Sequence, residues 1–96
     1  MDLEALTAAT FEPHTGDTFA VAAEPGPLAL VLESVTLLAD RPGGRDPFSL
    51  LFLGPPDPVL PQAIRRLEHA KLGALEIFIV PLGRDPQHAR YEAIFA

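Results

Sequence analysis

Apolar and polar residues alternate along much of this chain, and the alternation changes phase at identifiable points. In Leu28–Leu38 (LALVLESVTLL), Leu28, Leu30 and Leu32 share one face. After Glu33 and Ser34 the apolar positions become Val35 and Leu37, of the opposite parity. A strand repeats every two residues, so a phase change inside one strand predicts a bulge of the kind that bends a strand round a barrel corner. Phe48–Leu53 aligns Phe48, Leu50 and Phe52, then stops at Gly54-Pro55-Pro56. Ala74–Pro81 puts Leu75, Ile77 and Ile79 on one face. Phe78 and Val80 occupy the other, which predicts a strand covered on both sides. In Arg90–Ala96, Tyr91, Ala93 and Phe95 lie opposite Glu92 and Ile94. Thr18–Ala22 is a further short strand.

Turn signals separate these runs at Glu24-Pro25-Gly26-Pro27, along Asp40–Pro47, and at Gly83-Arg84-Asp85-Pro86. Asp2 is placed to cap a short N-terminal helix with Leu3, Leu6 and Thr10 on its inner side. Phe11 and Phe19 then bracket a turn marked by Pro13 and Gly16. The segment PQAIRRLEHAKLG reads two ways. Pro61 near its start, Ile64 and Leu67 at helical spacing, and Gly73 as a stop favour a helix. Read as a strand, Arg65, Leu67 and His69 share one face, and Ile64, Arg66 and Glu68 the other. Short strands punctuated by turns predict an all-β fold, a small antiparallel barrel or closed sandwich of about six strands with a short N-terminal helix. The 96 residues form one domain.

Composition narrows the chemistry more than it identifies it. Hydrophobic residues make up 48% of the chain, enough for a core, and cysteine is absent, so there is no disulfide, thiolate metal site or thiol nucleophile. The start, MDLEAL, lacks the features of a signal peptide, and no apolar run approaches the ~18 residues of a membrane span. The expected setting is therefore cytoplasmic, without membrane contact. Charge is uneven: residues 1–40 carry seven acidic residues and no Lys or Arg, and all seven basic residues lie at or after Arg41. A net charge of −6 disfavours nucleic acid as a partner and leaves the acidic half as a solvated face or a surface for a basic partner.

Candidate chemistry is sparse. Glu68 and His69 are the most suggestive polar pair, but neighbouring strand residues point to opposite faces and do not act on one substrate. His69 shares parity with Leu67, as a core-edge histidine bonded to backbone would. Gln62 is placed to bridge backbone groups at a barrel mouth. His14 sits in a turn with Glu12 and Asp17, and His88 lies near Asp85; neither spacing matches a metal motif, and both read as surface histidines. Ser34 and Ser49 fall inside strands rather than in a nucleophile elbow. Asp40, Asp46, Asp57 and Asp85 occupy turns. The Gly43-Gly44 loop is not a phosphate cradle. No catalytic residue, metal or cofactor is expected.

The run FSLLFLGPPDPVLPQ, then RLEH, LG, EIFIVPLG and YEAIF, together with Phe11, Gly16 and Phe19, resembles a small uncharacterised bacterial domain family. That family has a Gly-Thr-aromatic sequence where this chain has Ala63-Ile64-Arg65, and often proline at the position of Ala70. The resemblance therefore implies a strand over Gln62–His69. It also puts Arg65 where an inward or semi-buried aromatic stands, so the Arg65 stem must snorkel or its charge must pair, with Glu68 or Glu92 as candidates. Members of the family are often encoded beside proteins resembling phage tail-collar or tail-fibre components.

These readings converge on a non-enzymatic structural or protein-interaction module, with a tail- or fibre-like protein as the expected partner. The alternative is a small ligand-binding β-barrel, or an enzyme, with Gln62 and His69 near its mouth and Glu68 beside them. Self-association is a third route, through strand edges or a surface of Leu51, Leu53 and Phe78.

Overall fold

A computed structural model describes residues 6–23, 26–38 and 47–95. A four-residue helix, α1 (Ala8–Phe11), runs into a 3-10 turn over Glu12–His14. Six strands follow: β1 (Thr18–Val21), β2 (Leu28–Leu37), β3 (Phe48–Gly54), β4 (Ala63–His69), β5 (Gly73–Arg84) and β6 (Ala89–Phe95). They close into an antiparallel barrel in the order β1-β2-β3-β6-β5-β4, with β4 returning to β1.

Period-two alternation decides which side chains fill the barrel. Buried positions alternate along β3 and β6, and Leu75, Ile77 and Ile79 do the same along β5. The phase change in β2 is a bulge, with the register against β3 shifting between Leu32 and Ser34. A second shift, between Pro81 and Gly83, bends β5 against β6. Gln62–His69 is not a helix: Ala63 to His69 pair with Ile79 to Gly73, as the family resemblance implies. Gly73, at φ 78°, takes the left-handed position that closes this hairpin. Gly54 is needed for a different reason. A Cβ there would stand 2.6 Å from Leu30 Cδ2 and 3.3 Å from Tyr91 Cε2, so β3 packs this closely only without a side chain.

The interior is aromatic. Phe19 meets Phe52 edge-on at 5.4 Å, and Phe48 stacks on Phe95 at 4.7 Å. Phe11 projects from α1 onto both Phe48 and Phe95, so the helix plugs the end of the barrel where β3 begins and β6 finishes. The antiparallel register puts the start of β1 and the end of β4 at the same end.

Some expectations need correcting. The proposed helix cap at Asp2, with Leu3, lies outside the described residues. Among the described residues the helix spans Ala8–Phe11, and the Thr7 N–H donates to Thr10 Oγ1 at 3.1 Å. Phe78 is not covered: it is 50% exposed, because a single closed sheet has no second layer outside it. Closure also pairs β1 with β4 at Ala20–Glu68 and Val21–Leu67, which covers those stretches of the two strand edges. Arg65 does not pair with Glu68 or Glu92. Its guanidinium instead donates to the Pro61 carbonyl at 2.8 Å, while its Nε is buried without a partner among the described residues. The stem has snorkelled towards the end of the barrel opposite α1.

Candidate functional site

The polar cluster of this protein is built at the plugged end, from parts that lie far apart in the chain. After the 3-10 turn, Gly16 at φ 92° redirects the backbone, and the Asp17 N–H bonds back to the His14 carbonyl at 2.9 Å. Backbone bonds to Leu32 of β2, from Gly16 N–H to Leu32 O and from Leu32 N–H to Asp17 O, then fix Asp17 just ahead of β1. The end of β4 brings His69 to the same place.

Geometry assigns the ring proton of His69. The backbone N–H groups of Lys71 and Leu72 both point at His69 Nδ1, at 3.0 and 3.1 Å. An atom facing two donors must accept, so the proton sits on Nε2 and is donated to Asp17 Oδ2 at 2.8 Å. The imidazole thus satisfies two turn amides of the β4–β5 hairpin and ties that hairpin to the entry of β1. His14 Nδ1 donates to the same Asp17 oxygen at 3.0 Å, and the two histidine rings meet edge-on at 4.5 Å. The His69 side chain is 3% exposed and Asp17 45%. Hydrogen bonds from His69 first, and from His14 second, hold the Asp17 carboxyl below its usual range.

His14, Asp17 and His69 present their ligand-type atoms within 4.8 Å of one another, an arrangement that invites a metal reading. The donor set does not fit it. A histidine that binds a metal through Nε2 must carry its proton on Nδ1 and donate it outward. Here Nδ1 faces two N–H groups, and a proton there would meet both. The cluster is a structural clip instead. It spans the junction of β1 and β4, where the register includes only Ala20 opposite Glu68 and Val21 opposite Leu67.

The other sequence candidates are placed elsewhere. Gln62 is exposed just before β4, at the opposite end of that strand from His69, roughly 20 Å away at strand rise, and its side chain makes no hydrogen bond among the described residues. No single mouth holds both. Glu68 points outward, away from His69, and pairs with Arg66 at 3.4 Å. His88 is exposed beside Asp85. Spacing alone could show the His14–Asp17 pair but not His69, which lies 52 residues further on.

A shallow cleft of about 110 Å3 lies outside the β1–β4 junction, lined by Ala20, Val21, Ala22, Pro27, Arg66 and Glu68. Its size suits part of one side chain rather than a small-molecule ligand. At the opposite end of the barrel from α1, Tyr91 accepts the Leu60 N–H at 2.9 Å and holds the β3–β4 connection against the barrel.

Asp85 shows the same carboxylate logic on the surface. The N–H groups of His88 and Gln87, then Arg90, hold its carboxyl down to about 2 from 3.8. A depressed carboxylate contributes stability above its unfolded value, and that contribution disappears as pH falls through the folded one. Asp85→Asn is therefore expected to flatten the acid-induced loss of stability between pH 3.8 and about 2. Unfolding midpoints across that window, unchanged in slope, would refute the assignment.

Among known families, a model described as "Domain of unknown function (DUF6916)" matches residues 6–95. No curated protein and no solved structure matches the chain. Among the described residues, no helix is long and apolar enough to cross a membrane.

Proposed function

The chain belongs to the DUF6916 family of domains of unknown function, and from that premise we propose that it is a non-enzymatic protein-interaction module, accessory to a phage-tail-like or fibre assembly. The observation that carries this reading is the contrast between the two sides of the barrel wall. Inside, Phe48, Phe52, Ile77 and Phe95 are at most 6% exposed and occupy the space a ligand would need. Outside, Ile64, Phe78, Leu82 and Ile94 are each at least 50% exposed, which is costly in water and useful at an interface. The choice of tail- or fibre-like proteins as first partners rests on the family resemblance alone.

The competing ligand-barrel or enzyme reading asks for a chamber of roughly 300 Å3 or more with Gln62 and His69 beside it. The separation of those two residues along β4 weighs against it. Purification of the tagged protein from its native host tests the proposal, with Ile64→Asp as the comparison. Near-stoichiometric recovery of a tail- or fibre-like protein, lost in the variant, is the expected result. Turnover on a broad hydrolase panel that disappears in His69→Ala, with circular dichroism showing the variant folded, would replace the proposal with the enzymatic reading.

A further inference from the structure

Resting on the interaction reading above, we infer that the outer face of the β4–β5 hairpin docks against the same face of a second copy of this chain, about a two-fold axis parallel to the strands. The face is a short grid. Ile64 lies opposite Phe78, Arg66 opposite Glu76, and Glu68 opposite Ala74. All six residues point outward and are exposed, Ile64 at 69% and Phe78 at 50%.

The order of these pairs selects the occupant. A two-fold axis along the midline between β4 and β5 exchanges the two strands, so each residue meets the partner of its own cross-strand neighbour. Ile64 then covers Phe78 of the second copy and Arg66 meets its Glu76. Glu68 lies over the small Ala74. Apolar faces apolar, positive faces negative, and the remaining acid meets no acid. A self-complementary patch of this kind is what a two-fold interface requires. An axis across the strands through the Arg66–Glu76 row would instead set Arg66 against Arg66 and Glu76 against Glu76.

Sedimentation across a roughly hundredfold concentration range measures the association. The expected result is a monomer–dimer equilibrium that Ile64→Asp weakens by more than about tenfold, with circular dichroism showing the variant folded. A charge exchange separates contacts between chains from those within one. Arg66→Glu alone and Glu76→Arg alone are each expected to weaken self-association, because each sets like charges against each other twice. Mixing the two variants restores both opposite-charge pairs and is expected to recover association as a mixed dimer. A dimer that survives Ile64→Asp, or a mixture no tighter than either variant alone, overturns the proposed face. A wild-type chain that stays monomeric throughout overturns the second copy as partner. In that case, loss of a different protein from the Ile64→Asp purification would leave the broader interaction reading standing.

Discussion

Phe52→Ala is expected to destabilise the protein by about 3–5 kcal/mol, among the largest losses that a single substitution can cause here. Phe52 is fully buried on β3 and packs edge-on against Phe19 of β1, with β2 and β6 paired on either side. Removing the ring leaves a void that strands locked in a closed ladder cannot collapse to fill. For a chain of this length the thermal midpoint should fall by on the order of 15–30 °C. Phe78→Ala is the internal control: the same chemical change on the exposed face should cost less than about 1 kcal/mol. Urea unfolding of both variants, at concentrations where the chain is monomeric, measures the difference. Equal losses would mean that the inner and outer faces of the barrel have been assigned wrongly.

His69→Leu is expected to cost about 2–3 kcal/mol although leucine is the more hydrophobic residue. The substitution strips an acceptor from the Lys71 and Leu72 N–H groups and a donor from Asp17 at once. His14→Ala removes a single bond to a carboxylate that water can reach, and should cost no more than about 1 kcal/mol. Amide hydrogen exchange locates the damage: in His69→Leu it should accelerate at Lys71 and Leu72, and at Ala22, whose N–H bonds to the Arg66 carbonyl across the β1–β4 junction. Nitrogen NMR of the wild-type ring should find the proton on Nε2. A proton on Nδ1 would contradict the clip and reopen the metal reading.

Most of the fold was legible in the sequence because parity is a local property. The bulge in β2 follows from the change of phase around Glu33, and the buried faces of β3 and β6 follow from simple alternation. β4 was ambiguous on its own letters. Pro61, Ile64, Leu67 and Gly73 suit a helix, and only pairing with β5 settles the matter, which is a tertiary effect. Phe78 misled for a related reason. An apolar residue on a strand's second face predicts a covering layer, and whether one exists depends on how many sheets the fold has. The polar cluster was the least visible part. His14 and Asp17 are separated by one turn of chain, but His69 reaches them only when β4 closes against β1, and no spacing rule encodes that closure.

That junction has a mechanical consequence. β1–β2–β3 and β4–β5–β6 are two three-stranded leaves joined along two lines. Between β3 and β6 the ladder runs unbroken from Phe48 opposite Phe95 to Gly54 opposite Ala89, and it is the stiff spine of the pair. Between β1 and β4 the pairing is short and leans on one histidine–aspartate bond. Under load or partial denaturation the molecule should open like a book, the leaves keeping their own hairpins while the clasp at His69 lets go. The aromatic pages inside would then be exposed before either leaf unfolds.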